Sequence, residues 1–130
     1  MKFIHTADIH WGMIPDSDKP WGKKREQAIR LTFQGIIEDA RDSRADLLLI
    51  SGDLFHRQPL ARDLKEVNYL FSTIPGVQVT IIAGNHDSGE RLEFARELLE
   101  KEGVFIAGLP PRETDEKIRK VTMTDPAGEV

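Results

Sequence analysis

Three short clusters in this chain hold residues that can bind a metal or move a proton. In VQVTIIAGNHDSG (77–89), a mostly apolar run leads straight into Asn85, His86 and Asp87. Asp8 and His10 follow the apolar KFIHTAD segment, and Asp53 closes ADLLLISGD, with His56 just beyond. Asp and Asn offer oxygen and His offers imidazole nitrogen, a mixed set without sulfur that suits Mn, Fe or Zn rather than a soft metal. Gly52 and Gly84 immediately precede Asp53 and Asn85, and glycine lets the backbone turn sharply or approach a ligand closely. A carboxylate between two cations can bridge them, and two cations about 3.5–4 Å apart can clamp a phosphate and turn water into hydroxide. Each cluster alone has a plainer reading. Gly-Asp often marks a turn, and Asp87 can cap a following helix or orient His86. Three such clusters in the order D-x-H, GD, GNHD favour a site. His5 lies inside its apolar segment and reads as a structural histidine, not a ligand.

The elements that would position these clusters alternate between strand and helix. Strands are predicted at 2–8, 45–53, 77–84 and 104–108. Helices are predicted at 21–43, with a stripe of Ala28, Leu31, Ile36 and Ala40, at 61–74, with Leu64, Val67, Leu70, Phe71 and Ile74, and at 90–103, with Leu92, Phe94, Ala95, Leu98 and Leu99. Repeated βαβ units imply an α/β fold with a mainly parallel sheet and right-handed crossovers. The runs DLLLIS and VTIIAG suit strands covered on both faces. In such a sheet the C-terminal strand ends line one edge, so the three clusters should converge there. Residues 109–117 read as a loop and 118–130 as a strand and turn whose return strand has only begun. We therefore expect the 130 residues to be the N-terminal part of a longer domain.

Composition narrows the function classes. A chain of 130 residues with 39% hydrophobic content fits one compact domain. It carries no apolar run of the ~20 residues a membrane helix needs, and the N-terminus lacks a signal peptide's apolar core. Cys is absent, which excludes disulfides and thiolate zinc sites and fits a cytoplasmic location. The net charge of -4 means that any nucleic-acid contact must use a local patch or a metal. One such patch is DKPWGKKR, with Lys19, Lys23, Lys24 and Arg25 beside Trp21; Trp11 leaves the His10 cluster just ahead of it. Basic side chains could hold DNA phosphates and an aromatic ring could stack on a base.

D-x-H, GD and GNHD together resemble the first half of the calcineurin-like metallophosphoesterase pattern. The strings FIHTADIHWG, LLISGDLFH and IAGNHDSGERLE look like one branch, the SbcD-type (meiotic recombination eleven) DNA repair exonucleases, over about residues 1–108. The resemblance implies an αββα sandwich in full and two divalent metal ions, usually manganese. Asp8 and His10 would bind the first ion, Asp53 would bridge and Asn85 would bind the second. His86 would contact the scissile phosphate and protonate or stabilise the leaving oxygen, with His56 as a secondary contact. It further implies hydrolysis of DNA at duplex ends and hairpins, an SMC-like ATPase partner of the SbcC type, and a homodimer built from helices in the 61–101 region.

One departure is large. The family completes its metal site with histidines far downstream, whereas this chain has only His5, His10, His56 and His86. Four ligand residues with Asp53 counted twice give about five contacts, and two octahedral ions want about twelve. The chain alone is therefore expected to bind metal weakly or not at all and to be inactive, and its full-length parent to be active. Two rival readings share parts of the pattern: a calcineurin-like phosphoesterase acting on nucleotides or phosphoproteins, and a non-catalytic module that dimerises or docks an ATPase.

Overall fold

The computed structural model describes residues 1–84, 103–107 and 122–124, together with Leu92, Ala95, Arg96, Leu99 and Gly128. Four strands, β1 (Phe3–Ala7), β2 (Leu47–Ser51), β3 (Gln78–Ile82) and β4 (Val104–Ala107), form one sheet in the order β1-β2-β3-β4. Every neighbouring pair is parallel. Helix α1 (Gly22–Asp42) joins β1 to β2, and α2 (Ala61–Ser72) joins β2 to β3. Leu92, Ala95, Arg96 and Leu99 are helical between β3 and β4. The expected α/β alternation is thus present, with the ends of β1, β2 and β3 one or two residues inside the sequence reading. The strand and turn expected over 118–130 fall largely outside the described residues, and residues 122–124 carry no strand.

The register sorts the strand residues into two faces. Ile4, Leu48, Val79 and Val104 align across the sheet, as do Thr6, Ile50, Ile81 and Ile106. These rows carry the buried strand residues and join Phe33, Ile37, Val67 and Phe71 of the helices in one apolar cluster. The opposite rows hold Phe3 and Ile82, 62% and 46% exposed, with half-buried Leu47, Leu49 and Phe105 between them. The sequence reading of strands covered on both faces is therefore corrected. An unbroken strand order with same-handed crossovers puts every connecting helix on one side, and among the described residues the other face carries no helix. Apolar runs such as LLLIS do not distinguish a covered face from one awaiting cover.

Helix α1 also differs from its expected stripe. Phe33, Ile37 and Ala40 are buried, at i, i+4 and i+7, whereas Ala28 and Leu31 face solvent. Leu31 lies two residues, about 200° of helix, from Phe33, so the two cannot share a face. In α2 the expected residues Leu64, Val67, Leu70 and Phe71 are all buried, with Ile74 just past its end. Of the apolar set at 90–103, Leu92, Ala95 and Leu99 belong to the core, which assigns them to packing inside the domain rather than to a dimer face. Phe94 and Leu98 lie outside the described residues.

The α1 assignment has a direct test. Phe33→Ala should lower the unfolding free energy by about 3–5 kcal/mol through cavity creation. Leu31→Ala should change it by no more than about 0.5 kcal/mol. Urea unfolding of both variants measures the difference; equal losses would mean that the helix is rotated from this orientation.

Candidate metal centre

The sheet does not stop cleanly at the ends of β1 and β2. Beyond them the two chains continue side by side, with Asp8 N–H donating to Gly52 O (3.2 Å), His10 N–H to Asp53 O (2.8 Å) and Trp11 N–H to Leu54 O (2.8 Å). The His56 N–H returns to Trp11 O at 3.0 Å, and Trp11 pairs with Phe55 as an isolated parallel bridge. Within this paired extension, Asp8 (φ 53°), His10 (φ 52°) and Asp53 (φ 49°) all have left-handed backbone. Each such residue costs on the order of 1–3 kcal/mol and persists only because its surroundings over-determine it. Asp and His are among the side chains most often found there. The twist turns alternate residues out of the sheet plane. In GDLFH, Leu54 and Phe55 are buried in the core while Asp53 and His56 remain at the strand-end edge.

One donor atom from each of Asp8, His10 and Asp53 lies within 4.8 Å of the others. His10 Nε2 is 3.9 Å from Asp53 Oδ2. Bonds of about 2.0–2.2 Å place donors around one cation at most about 4.4 Å apart, so a few tenths of an ångström of adjustment closes the set. Two carboxylates and an imidazole, one carboxylate exposed and the other buried, are a fitting first coordination set for a borderline divalent ion. Asp53 is 3% exposed, and a carboxylate so buried is costly without a compensating cation or donors. His10 Nδ1 lies 3.3 Å from His56 Nδ1, with the two rings edge to face at 5.3 Å. If Nε2 of His10 ligates, its Nδ1 carries the proton and donates it to His56, which leaves Nε2–H of His56 as a donor to a bound anion.

Gly84 explains how β3 reaches this centre. A Cβ at Gly84 would collide with Asp53 Oδ1 and would sit 2.5 Å from Asp53 N. Gly52 (φ 84°) in turn faces the Cα of Gly84, with a built Cβ 3.1 Å away. The two glycines preceding the polar residues therefore touch each other, and their lack of side chains lets β2 and β3 meet at the Asp53 carboxylate. Asn85, His86 and Asp87 come directly after this contact in sequence and lie outside the described residues.

The remaining sequence candidates divide. Trp11 is 2% exposed, packs edge to face on Phe33 with centroids 5.8 Å apart, and carries the Arg30 guanidinium 4.7 Å from its ring centre. Its ring is core, so the expectation that it stacks on a base is corrected. Trp21 is instead the half-exposed indole, hydrogen-bonded to Asp16 Oδ2 at 3.1 Å. Lys19 pairs with Asp18 (3.2 Å) and Arg25 with Asp16 (2.9 Å), whereas Lys23 and Lys24 are exposed in the first turn of α1. His5 bonds Ser51 Oγ at 2.8 Å on the uncovered sheet face, consistent with its structural reading. Sequence reasoning missed Asp63, a buried carboxylate beside the site loops. Its only signal was an acidic residue in the first turn of a helix.

The model of the calcineurin-like phosphoesterase family matches residues 1–123. The chain belongs to this family, whose members bind divalent metal. It is 38% identical over 114 residues to the DNA double-strand break repair protein Mre11 of Archaeoglobus fulgidus, covering 84% of this chain and 25% of that protein. It is 30% identical over 110 residues to a component of the nuclease SbcCD of Staphylococcus saprophyticus, covering 82% of this chain and 28% of that one. The Mre11 of Methanopyrus kandleri is 33% identical over 94 residues, 70% of this chain and 20% of that protein. The chain thus spans about a quarter of the length of these relatives.

Gly84→Ala should push the Asp53 carboxylate out of place and weaken divalent-metal binding by about tenfold or more, at a stability loss of about 1–3 kcal/mol from overpacking. Calorimetric titration of the full-length parent with Mn²⁺ measures the affinity. Wild-type affinity would mean that Asp53 does not need the space Gly84 leaves.

Proposed function

We propose that this chain is the N-terminal portion of a metal-dependent nuclease domain that hydrolyses DNA phosphodiester bonds in double-strand break repair. The observation that carries this reading is the convergence of Asp8, His10 and Asp53 within 4.8 Å at one sheet edge, in a chain whose relatives include a double-strand break repair protein and a nuclease component. Divalent metal, in this reading two manganese ions, supplies activated water and charge neutralisation at the phosphate. Asp8 and His10 would hold one ion, Asn85 would hold the second, and Asp53 would be shared between them. His56 would donate Nε2–H to a phosphate oxygen, and His86 would protonate or stabilise the leaving oxygen. Further ligands come from a longer parent chain, whose remaining part also covers the open sheet face around Phe3 and Ile82.

Lys23 and Lys24 are the strongest candidates for DNA contact. The first turn of α1 holds no acidic residue, and cations there oppose the helix dipole. Their placement gains nothing for the helix and suits an external polyanion. Lys19 and Arg25 extend the same basic segment. Among the described residues no helix is long and apolar enough to cross a membrane. An SMC-like ATPase partner, a homodimer and a cytoplasmic location complete the reading.

The first experiment is degradation of end-labelled duplex DNA with Mn²⁺ by the full-length parent and by this 130-residue chain. The parent should cut and the chain should not. If the parent hydrolyses only nucleotides or small phosphodiesters, the enzyme is a phosphoesterase of another specificity; if it hydrolyses neither, the catalytic reading fails. In the parent, Lys23→Glu with Lys24→Glu should weaken DNA binding uniformly across sequences and reduce the slope of log K against log salt by about 2. An unchanged slope would remove these two lysines from the interface.

A further inference from the structure

Asp63 is 1% exposed at the start of α2, and no role in coordination or catalysis falls to it. Its Oδ2 accepts the Leu60 N–H at 2.9 Å, half of a capping box. The same oxygen lies 3.4 Å from Arg57 Nη1, and Oδ1 lies 3.8 Å from Arg30 Nη2. A cap alone needs one oxygen and no cation. The two guanidinium groups each continue to a different part of the loop that follows β1. Arg57 lies against Gly12, where a built Cβ would be 3.4 Å from Nη2, and Gly12 is itself left-handed (φ 85°). Arg30 lies over the ring of Trp11 and also pairs with Glu26 (3.7 Å) and Glu66. Trp11 and Gly12 follow His10 directly, and Arg57 follows His56 directly.

We propose that Asp63 is a positioning residue for the metal centre: one buried carboxylate that, through Arg57 and Arg30, fixes the loops carrying His10 and His56. The physical case is one of strain and leverage. Three residues of the centre hold left-handed backbone, which persists only where neighbours restrain it. The backbone pairing of the two loops holds them to each other, and the apolar contact of Trp11 with Phe33 seats the pair against α1 without setting the direction of its polar groups. Asp63 adds a charged tie from α2: its Oδ2 accepts from Arg57 Nη1 at 3.4 Å, and its Oδ1 faces Arg30 of α1 as a longer ion pair at 3.8 Å. Buried at 1%, the carboxylate is little screened, and loss of its charge would leave two guanidinium groups without their shared partner. The His10–His56 contact at 3.3 Å is the nearest readout of this restraint.

This inference rests in part on the nuclease reading, so the test is built with two arms in the full-length parent. Asp63→Asn keeps an oxygen for the Leu60 N–H and removes the charge. It should lower kcat for Mn²⁺-dependent DNA cleavage by about tenfold or more with KM within about twofold, the pattern of a misplaced reacting group. In the metal-free protein it should also shift the imidazole resonances of His10 and His56 in nitrogen–proton NMR spectra. Arg57→Ala, at a half-exposed site that tolerates truncation, should do the same more weakly, and Arg57→Lys should restore part of the loss. Asp63→Asn added to Arg57→Ala should cost less than the sum of the two, since both act along one path. If Asp63→Asn lowers the melting temperature but leaves kcat and both imidazole signals as in wild type, Asp63 is only a helix cap and the proposal is overturned. If Asp63→Asn does not fold, Arg57→Ala decides in the same way. If the wild-type parent cleaves no DNA, the nuclease reading fails, and the NMR arm alone still tests the positioning.

Discussion

The whole site depends on a pairing that outlasts its strands. Past Ala7 and Ser51, where β1 and β2 end, the two chains keep exchanging backbone hydrogen bonds through Trp11 and His56. A parallel ladder normally presents side chains alternately to its two faces. Left-handed backbone at Asp8, His10 and Asp53 breaks that alternation and turns all three donors toward one edge. Neither feature would suffice alone. Free loops would leave the carboxylate and imidazole donors in many relative arrangements, and a regular ladder would aim them at opposite faces.

Close approach between β2 and β3 is the second requirement. Gly52 and Gly84 meet there with almost no space to spare, and the Asp53 carboxylate lies where any side chain on Gly84 would go. The ends of β2 and β3 thereby meet directly at the Asp53 carboxylate, while β1 is held to β2 by backbone hydrogen bonds. The apolar rows beneath, from Leu48 and Ile50 through Val79 and Ile81, are buried against α1 and α2 and give this junction its stiffness. A side chain carried by strand ends over such a core is held more firmly than one on a free loop, which is what coordination within a few tenths of an ångström requires.

Much of this was legible in the sequence because it is local. Asp8, His10 and Asp53 sit at strand ends by pattern, the parallel order follows from βαβ alternation, and the glycines ahead of Asp53 and Asn85 carry their own conformational message. The failures concern what a segment faces. Leu31 and Phe33 are both apolar, and only the packed structure shows which one α1 turns inward. Trp11 sits beside the D-x-H cluster and a basic segment, yet its ring packs on Phe33 of α1 within the core. Strand hydrophobicity could not report that the helices gather on one face, because that depends on the handedness and direction of successive crossovers.

Asp63 shows why the supporting parts of a site are harder to read than its ligands. Ligand residues carry their chemistry in their type, so a spaced set of Asp, His and Asn stands out. A residue that acts through others has no such mark: an acidic side chain in the first turn of a helix is ordinary. What separates Asp63 is burial to 1% and two arginines drawn from α1 and from the loop holding His56, and both exist only once the chain has folded. The centre is thus specified at two ranges. Short motifs place the donors, and a charge network joining Arg30, Arg57 and Asp63 sets how tightly they are held.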